Sequence, residues 1–155
     1  MLIYTCEQMR VIEENADVNG LSYVEMMENA GNACAEKIHS TIVGLNSAAK
    51  TVKNGGDGFV IAKNLSDKGY GIRLVLTNGY PTAYESKIMY AYLEDKPVLV
   101  SDLKQNYDAC VSACMSAAAV VDCVFGIGFH GRLDETTSKF FNDISRSRAK
   151  KFAVD

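Results

Sequence analysis

The 155-residue sequence has no CxxC pair, only two histidines, no surplus of positive charge and no long unbroken apolar run. Each absence removes a class of protein. Its five cysteines, at positions 6, 34, 110, 114 and 123, form an odd set without the spacing of a disulfide framework or a zinc site. Cys110 and Cys114 stand one helical turn apart, which is half a metal site at most. With His39 and His130 as the only histidines, the two cysteines are better explained as small buried apolar residues. A net charge of −3 and a pI near 5.4 offer no field for a phosphate backbone, so nucleic acid is not an expected partner. The opening "MLIYTCEQMR" has neither the basic start nor the apolar centre of a signal peptide. The most apolar stretch, residues 117–125, is interrupted by Asp122 and is far too short to span a bilayer. A cytoplasmic protein without a membrane partner is expected.

What remains is ordinary globular material, 48% hydrophobic and 23% charged. A chain this long suits one domain, residues 1–155, and can bury roughly 70% of its unfolded surface. Three stretches match the capping box: "TCEQ" from Thr5, "SYVE" from Ser22 and "TAYE" from Thr82. After Ser22, the positions Met27, Ala30, Gly31, Cys34 and Ile38 share one helical face, and the small ones would admit another element closely. From residue 54 the pattern alternates. Helices are expected at 58–68, 83–95, 102–115 and 134–148, and strands at 70–77, 97–100, 117–125 and 151–155. Gly69 is the left-handed stop of the first of these helices, and "NGYP" is the turn closing the first of these strands. Such alternation predicts an α/β fold: a mostly parallel sheet with helices on both faces and the N-terminal helices packed onto it.

Two glycine-rich turns stand where such a fold binds ligands, outside the carboxyl ends of strands. "NGGDG", residues 54–58, precedes a helix whose first N–H groups suit a phosphate. Its glycines allow positive φ and close approach of a ligand, and Asn54 and Asp57 add oxygens for a hard cation or a ribose hydroxyl. The same dipeptides also make plain turns. "GIGFHG" sets Gly126, Gly128 and Gly131 in the dinucleotide spacing, although on a late strand and before the polar "RLDETTSK". Asp122 lies inside an otherwise apolar strand, where a carboxylate must be paired, cation-bound or turned outward. His130 serves either as an acid/base group or as a structural loop residue. Asp155, at the end of the last expected strand, would point into the same loop cluster.

Taken together, "MMENAG" (26–31), "NGGDGFVIAKNL", "VVDCVFGIGFHG" and the closing "AVD" resemble the NAD(P)H-hydrate epimerase family, the YjeF N-terminal domain. The resemblance covers nearly the whole chain, with the motifs in family order. It implies a Rossmann-like, three-layer αβα sandwich. It further implies an isomerase of cofactor repair that interconverts R- and S-NAD(P)HX, the hydrated forms of NADH and NADPH. An S-specific dehydratase, fused or separate, would then restore the cofactor. By the same resemblance Asn54 and Asp122 hold a potassium ion. Asn54, Gly55, Gly56 and Asp57, with the loop Gly126, Ile127, Gly128, Phe129, His130, Gly131 and Arg132, surround the substrate's phosphates and sugar. Asp155 stands beside the hydrated ring as the catalytic acid/base. A homo-oligomer is compatible with this picture.

The sequence departs from the family pattern in two places. Lys53 replaces an asparagine, and only "KTV" precedes the glycine turn, so the first central strand is expected to be truncated or missing. The sequence also stops at Asp155, before the family's Pro-Ser-Gly turn, and residues missing from the sequence are the expected reason. Two other functions fit weaker signals: an NAD-dependent oxidoreductase using the GIGFHG loop, and a non-catalytic nucleotide-binding or interaction module.

Overall fold

The computed structural model of the chain describes residues 4–43, 49–53, 55–126 and 131–154. Two helices come first, α1 (Cys6–Val18) and α2 (Tyr23–Ile42). Strands and helices then alternate: β1 (Ala49–Lys53), α3 (Gly56–Asp67), β2 (Ile72–Leu76), α4 (Tyr84–Ala91), β3 (Val98–Asp102), α5 (Tyr107–Met115), β4 (Ala119–Cys123), α6 (Glu135–Ser145) and β5 (Lys150–Ala153). The five strands form one sheet in the order β3-β2-β1-β4-β5, and every pairing is parallel. That order places the switch point between β1 and β4, where consecutive connections leave toward opposite sides.

Of the two alternatives for the first central strand, truncated or missing, the structure excludes the second. A central strand does precede the glycine turn: Ala49–Lys53 pairs with β2 on one side and β4 on the other, Val52 standing opposite Val75 and Asp122. It is as long as β2, β3 and β4. Its sequence, AKTVK, lacks the unbroken apolar run usual in a central parallel strand, and for that reason composition concealed it.

Local chemistry explains most of the ends. Both N-terminal capping boxes form. Thr5 Oγ1 accepts from the Gln8 amide while the Gln8 side chain accepts from the Thr5 amide, and Ser22 and Glu25 repeat the pattern. The third does not form, because α4 starts one residue later than a Thr82 cap requires, with Ala83 as its cap and no side-chain bond. Gly69, at φ +85°, closes α3 as expected: the Tyr70 amide donates to Leu65 and the Gly69 amide to Ser66. The helices at residues 84 and 107 begin later than periodicity suggested. The first of them also stops at Ala91, short of the expected residue 95.

Side-chain alternation along β4 divides the core. Ala119, Val121 and Cys123 join Ile72, Leu74 and Leu76 of β2 beneath α2, α3 and α4, around the fully buried Phe59 and Met89. Val120 and Val124 face the other way with Val75, against α5 and α6, where Cys110, Cys114 and Phe140 are buried. Helices therefore cover both faces. The helix α1 stands apart: none of its residues is buried. Among the described residues no helix is long and apolar enough to cross a membrane.

Candidate functional site at the carboxyl rim

Because the strands run parallel, their carboxyl ends share one rim, and β1, β4 and β5 are adjacent there. The turn Gly55–Gly56 leaves β1, the segment Val124–Gly126 leaves β4, and Val154 follows β5, its amide donating to the Asp122 carbonyl at 2.8 Å. The described parts of the three expected segments thus converge. Asn54, Ile127, Gly128, Phe129, His130 and Asp155 lie outside the described residues.

Gly55 caps α3 in extended backbone, φ −140°, and Gly56 is the first helical residue. Neither adopts positive φ, contrary to the reason first given for the glycines. Close packing is the reason for Gly56. A Cβ there would lie 1.5 Å from Met27 Sδ, since α2 crosses directly over the start of α3. Gly31, in the MMENAG stretch, is required at the same crossing: its Cβ would meet Val60 Cβ at 2.5 Å and the Asp57 carbonyl at 3.1 Å. Among the described residues of the second turn only Gly131, at φ +135°, needs glycine for its backbone, and it is exposed, as are Gly126 and Arg132.

Two carboxylates flank the rim. Asp122 sits on the α5/α6 face of β4 with Val120 and Val124, half-buried, and one of its oxygens accepts from the Val124 amide at 2.9 Å. Burial pushes its carboxyl above the usual range, opposed by that amide. Asp57, in the first turn of α3, is raised too, by burial and then by Glu13 of α1. Both act on Cys123 between them, whose thiol is pushed up by burial, then by Asp122, Asp57 and Cys34. Among the described residues, Asp122 offers an oxygen of the kind a hard cation takes. Asp122 is a desolvated carboxylate oxygen donor at the switch point, opposite the end of β1, and the residue after β1 is Asn54. Among the described residues no three His, Cys, Asp or Glu side chains cluster to hold a metal.

Asp57 also lines a cavity of about 470 Å³ between α1 and α2. Met9, Ile12 and Glu13 of α1 form one wall, and Tyr23, Met27 and Asn29 of α2 form another. Sequence reasoning missed this cavity. Its only signals were Asn29 inside the MMENAG motif and the amphipathic pattern of α1.

The family model described as YjeF-related protein N-terminus matches residues 24–155. The chain belongs to this family. Among curated relatives, the NAD(P)H-hydrate epimerase of Cenarchaeum symbiosum is 32% identical over 158 residues, covering 96% of this chain and 70% of that protein. The bifunctional NAD(P)H-hydrate repair enzyme Nnr of Archaeoglobus fulgidus is 30% identical over 157 residues, 100% of this chain but 32% of that protein. The chain therefore spans about a third of the bifunctional relative's length. Among solved structures, yeast YNL200c (ynu0) superposes with a TM-score of 0.82 at 17% identity, covering 100% of this chain and 70% of that one. This likeness shows that the YjeF N-terminal fold is shared. The family-model match begins at residue 24, after α1, whereas the Archaeoglobus fulgidus relative aligns with 100% of the chain.

Proposed function

We propose that the chain epimerises R- and S-NAD(P)HX in nicotinamide cofactor repair. The observation that carries this reading is the adjacency, in a member of this family, of the carboxyl ends of β1, β4 and β5 at one rim, flanked by Asp57 and Asp122. Relatives at about 30% identity named NAD(P)H-hydrate epimerase support it.

In this reading the start of α3 offers amides to a substrate phosphate, and residues Gly126–Arg132 contact the same substrate. Asn54 and Asp122 would hold potassium, which supplies positive charge beside the phosphates. Asp155 would serve as the acid/base group for proton transfer during inversion at the hydroxyl-bearing ring carbon. The glycine turns would hold that carbon beside the carboxylate. The S epimer then passes to a dehydratase, fused or separate.

The test couples the protein to an S-specific dehydratase and follows recovery of NADH absorbance from R-NADHX. The expected result is recovery faster than the spontaneous rate, lost in Asp155→Asn. Absence of acceleration by the intact protein would reject the activity, and full activity in Asp155→Asn would remove that carboxylate from the acid/base role. Hydride transfer from unmodified NADH without epimerisation would favour an oxidoreductase.

A further inference from the structure

We infer that the cavity between α1 and α2 is a subsite for the aromatic base of a nucleotide, an adenine-type ring whose amino group donates to the carboxylates at its floor. The inference rests on the nucleotide reading of the rim and extends it to residues outside the glycine turns.

The walls are thioether, aliphatic and phenol surfaces: Met9, Ile12, Met27 and Tyr23. Methionine sulfur and tyrosine rings favour contact with a flat π system over a saturated one. The polar groups are few and of one kind. Glu13 and Asp57 are acceptors, and Asn29 brings one donor group and one acceptor. Two carboxylates close enough for Glu13 to raise the Asp57 carboxyl repel a phosphate, so the anionic part of a nucleotide cannot enter here. A neutral ring bearing N–H groups meets the opposite condition. The volume falls in the range of small-molecule sites, about 300–1,000 Å³. The position is continuous with the rim, because Asp57 belongs both to the cavity and to the first turn of α3. A nucleotide with its phosphate on the α3 amides would reach the cavity with its base without crossing the sheet. Finally, α1 has no buried residue, so the helix can part from α2 to admit a ring at little cost to the core.

The experiment uses the full chain, adenosine monophosphate and oxidised nicotinamide mononucleotide as separate calorimetric probes, and the variants Ile12→Glu, Met9→Ala and Val18→Glu. Ile12 is 41% exposed and lines the cavity, whereas Val18 is 84% exposed and does not. A third carboxylate at position 12 should weaken adenosine monophosphate at least about tenfold, and Met9→Ala should weaken it less. Val18→Glu should leave binding unchanged. In the coupled assay, Ile12→Glu should raise KM for hydrated NADH about tenfold and change kcat by less than about twofold. Circular dichroism confirms that each variant is folded. Equal adenosine monophosphate affinity in the parent and both cavity variants would overturn the inference, and so would a loss confined to nicotinamide mononucleotide. The two readings fail separately. A parent protein that binds adenosine monophosphate in an Ile12-dependent way but never epimerises leaves the subsite standing without the activity. An active epimerase whose KM ignores Ile12→Glu leaves the activity without the subsite.

Discussion

Replacing Gly31 by alanine sets two known effects against each other, and the sign of the result decides which governs α2. In an unconstrained helix, alanine is more stable than glycine by about 1 kcal/mol. At Gly31 the new methyl would stand 2.5 Å from Val60 Cβ, 2.8 Å from Val60 Cγ1 and 3.1 Å from the Asp57 carbonyl. Carbon contacts settle near 3.5–4.0 Å, so α2 would have to withdraw from α3 by about 1 Å. Neither neighbour can swing aside: one is a β-branched side chain held in a helix, the other backbone. Overpacking of this kind costs about 1–3 kcal/mol. The net expectation is a destabilisation of up to about 2 kcal/mol, or up to about 8 °C in Tm for a domain this size. Urea and thermal unfolding followed by circular dichroism measure it. Because the nearest atom is Val60 Cβ, a Val60→Ala background should leave most of the penalty in place, and a Val60→Gly background should reduce it to what the Asp57 carbonyl imposes. A Gly31→Ala protein more stable than the parent would refute the close crossing of α2 over α3, and with it the account of the MMENAG motif.

Two further perturbations probe the rim and the first helix. Asp57→Asn should raise stability at neutral pH while lowering epimerase activity, the trade expected where a charge is held for function. The sign follows from the raised carboxyl of Asp57. The folded state holds its proton to higher pH than the unfolded state, so stability falls as pH rises from the ordinary aspartate value to the raised one. The gain in Asp57→Asn should therefore be full above that window and vanish below it, as thermal melts across pH 3–8 would record, and a gain independent of pH would contradict it. Thr5→Ala removes a capping box worth about 1 kcal/mol to its helix. Since no residue of α1 is fully buried, amide exchange should quicken in residues 6–18 while the global Tm barely moves, and a cooperative loss of stability would show that α1 belongs to the core.

Periodicity revealed what burial imposes on sequence and missed what it does not. The strands at β2 and β4 announced themselves because both faces of each are covered, as "IRLVL" and "AVVDC" show. The capping boxes at Thr5 and Ser22 were legible because they are local, needing only residues three apart. β1 was not, since Ala49–Lys53 carries two lysines and a threonine in the middle of the sheet, and only its pairing identifies it. At the rim, Asp122 and the glycine turns were visible as oddities of composition. The partnership of Glu13 with Asp57 was invisible, because it joins α1 to α3 across 44 positions of sequence.

The glycines of the two most distinctive motifs act on each other. Gly31 sits in the MMENAG stretch and Gly56 in NGGDG, and each meets the other's helix: Gly31 faces Val60 and the Asp57 carbonyl, and Gly56 faces Met27. Two absent side chains on opposing helices permit one close crossing, and that crossing determines where α3 begins relative to α2. The first turn of α3 carries Asp57, and the turn before it leaves β1 beside Asp122. A motif in α2 can therefore govern the proposed phosphate site through backbone placement. Larger residues at either glycine should then shift the α3 amides before they disturb any catalytic group, weakening substrate binding while the chemistry of the bound state is retained.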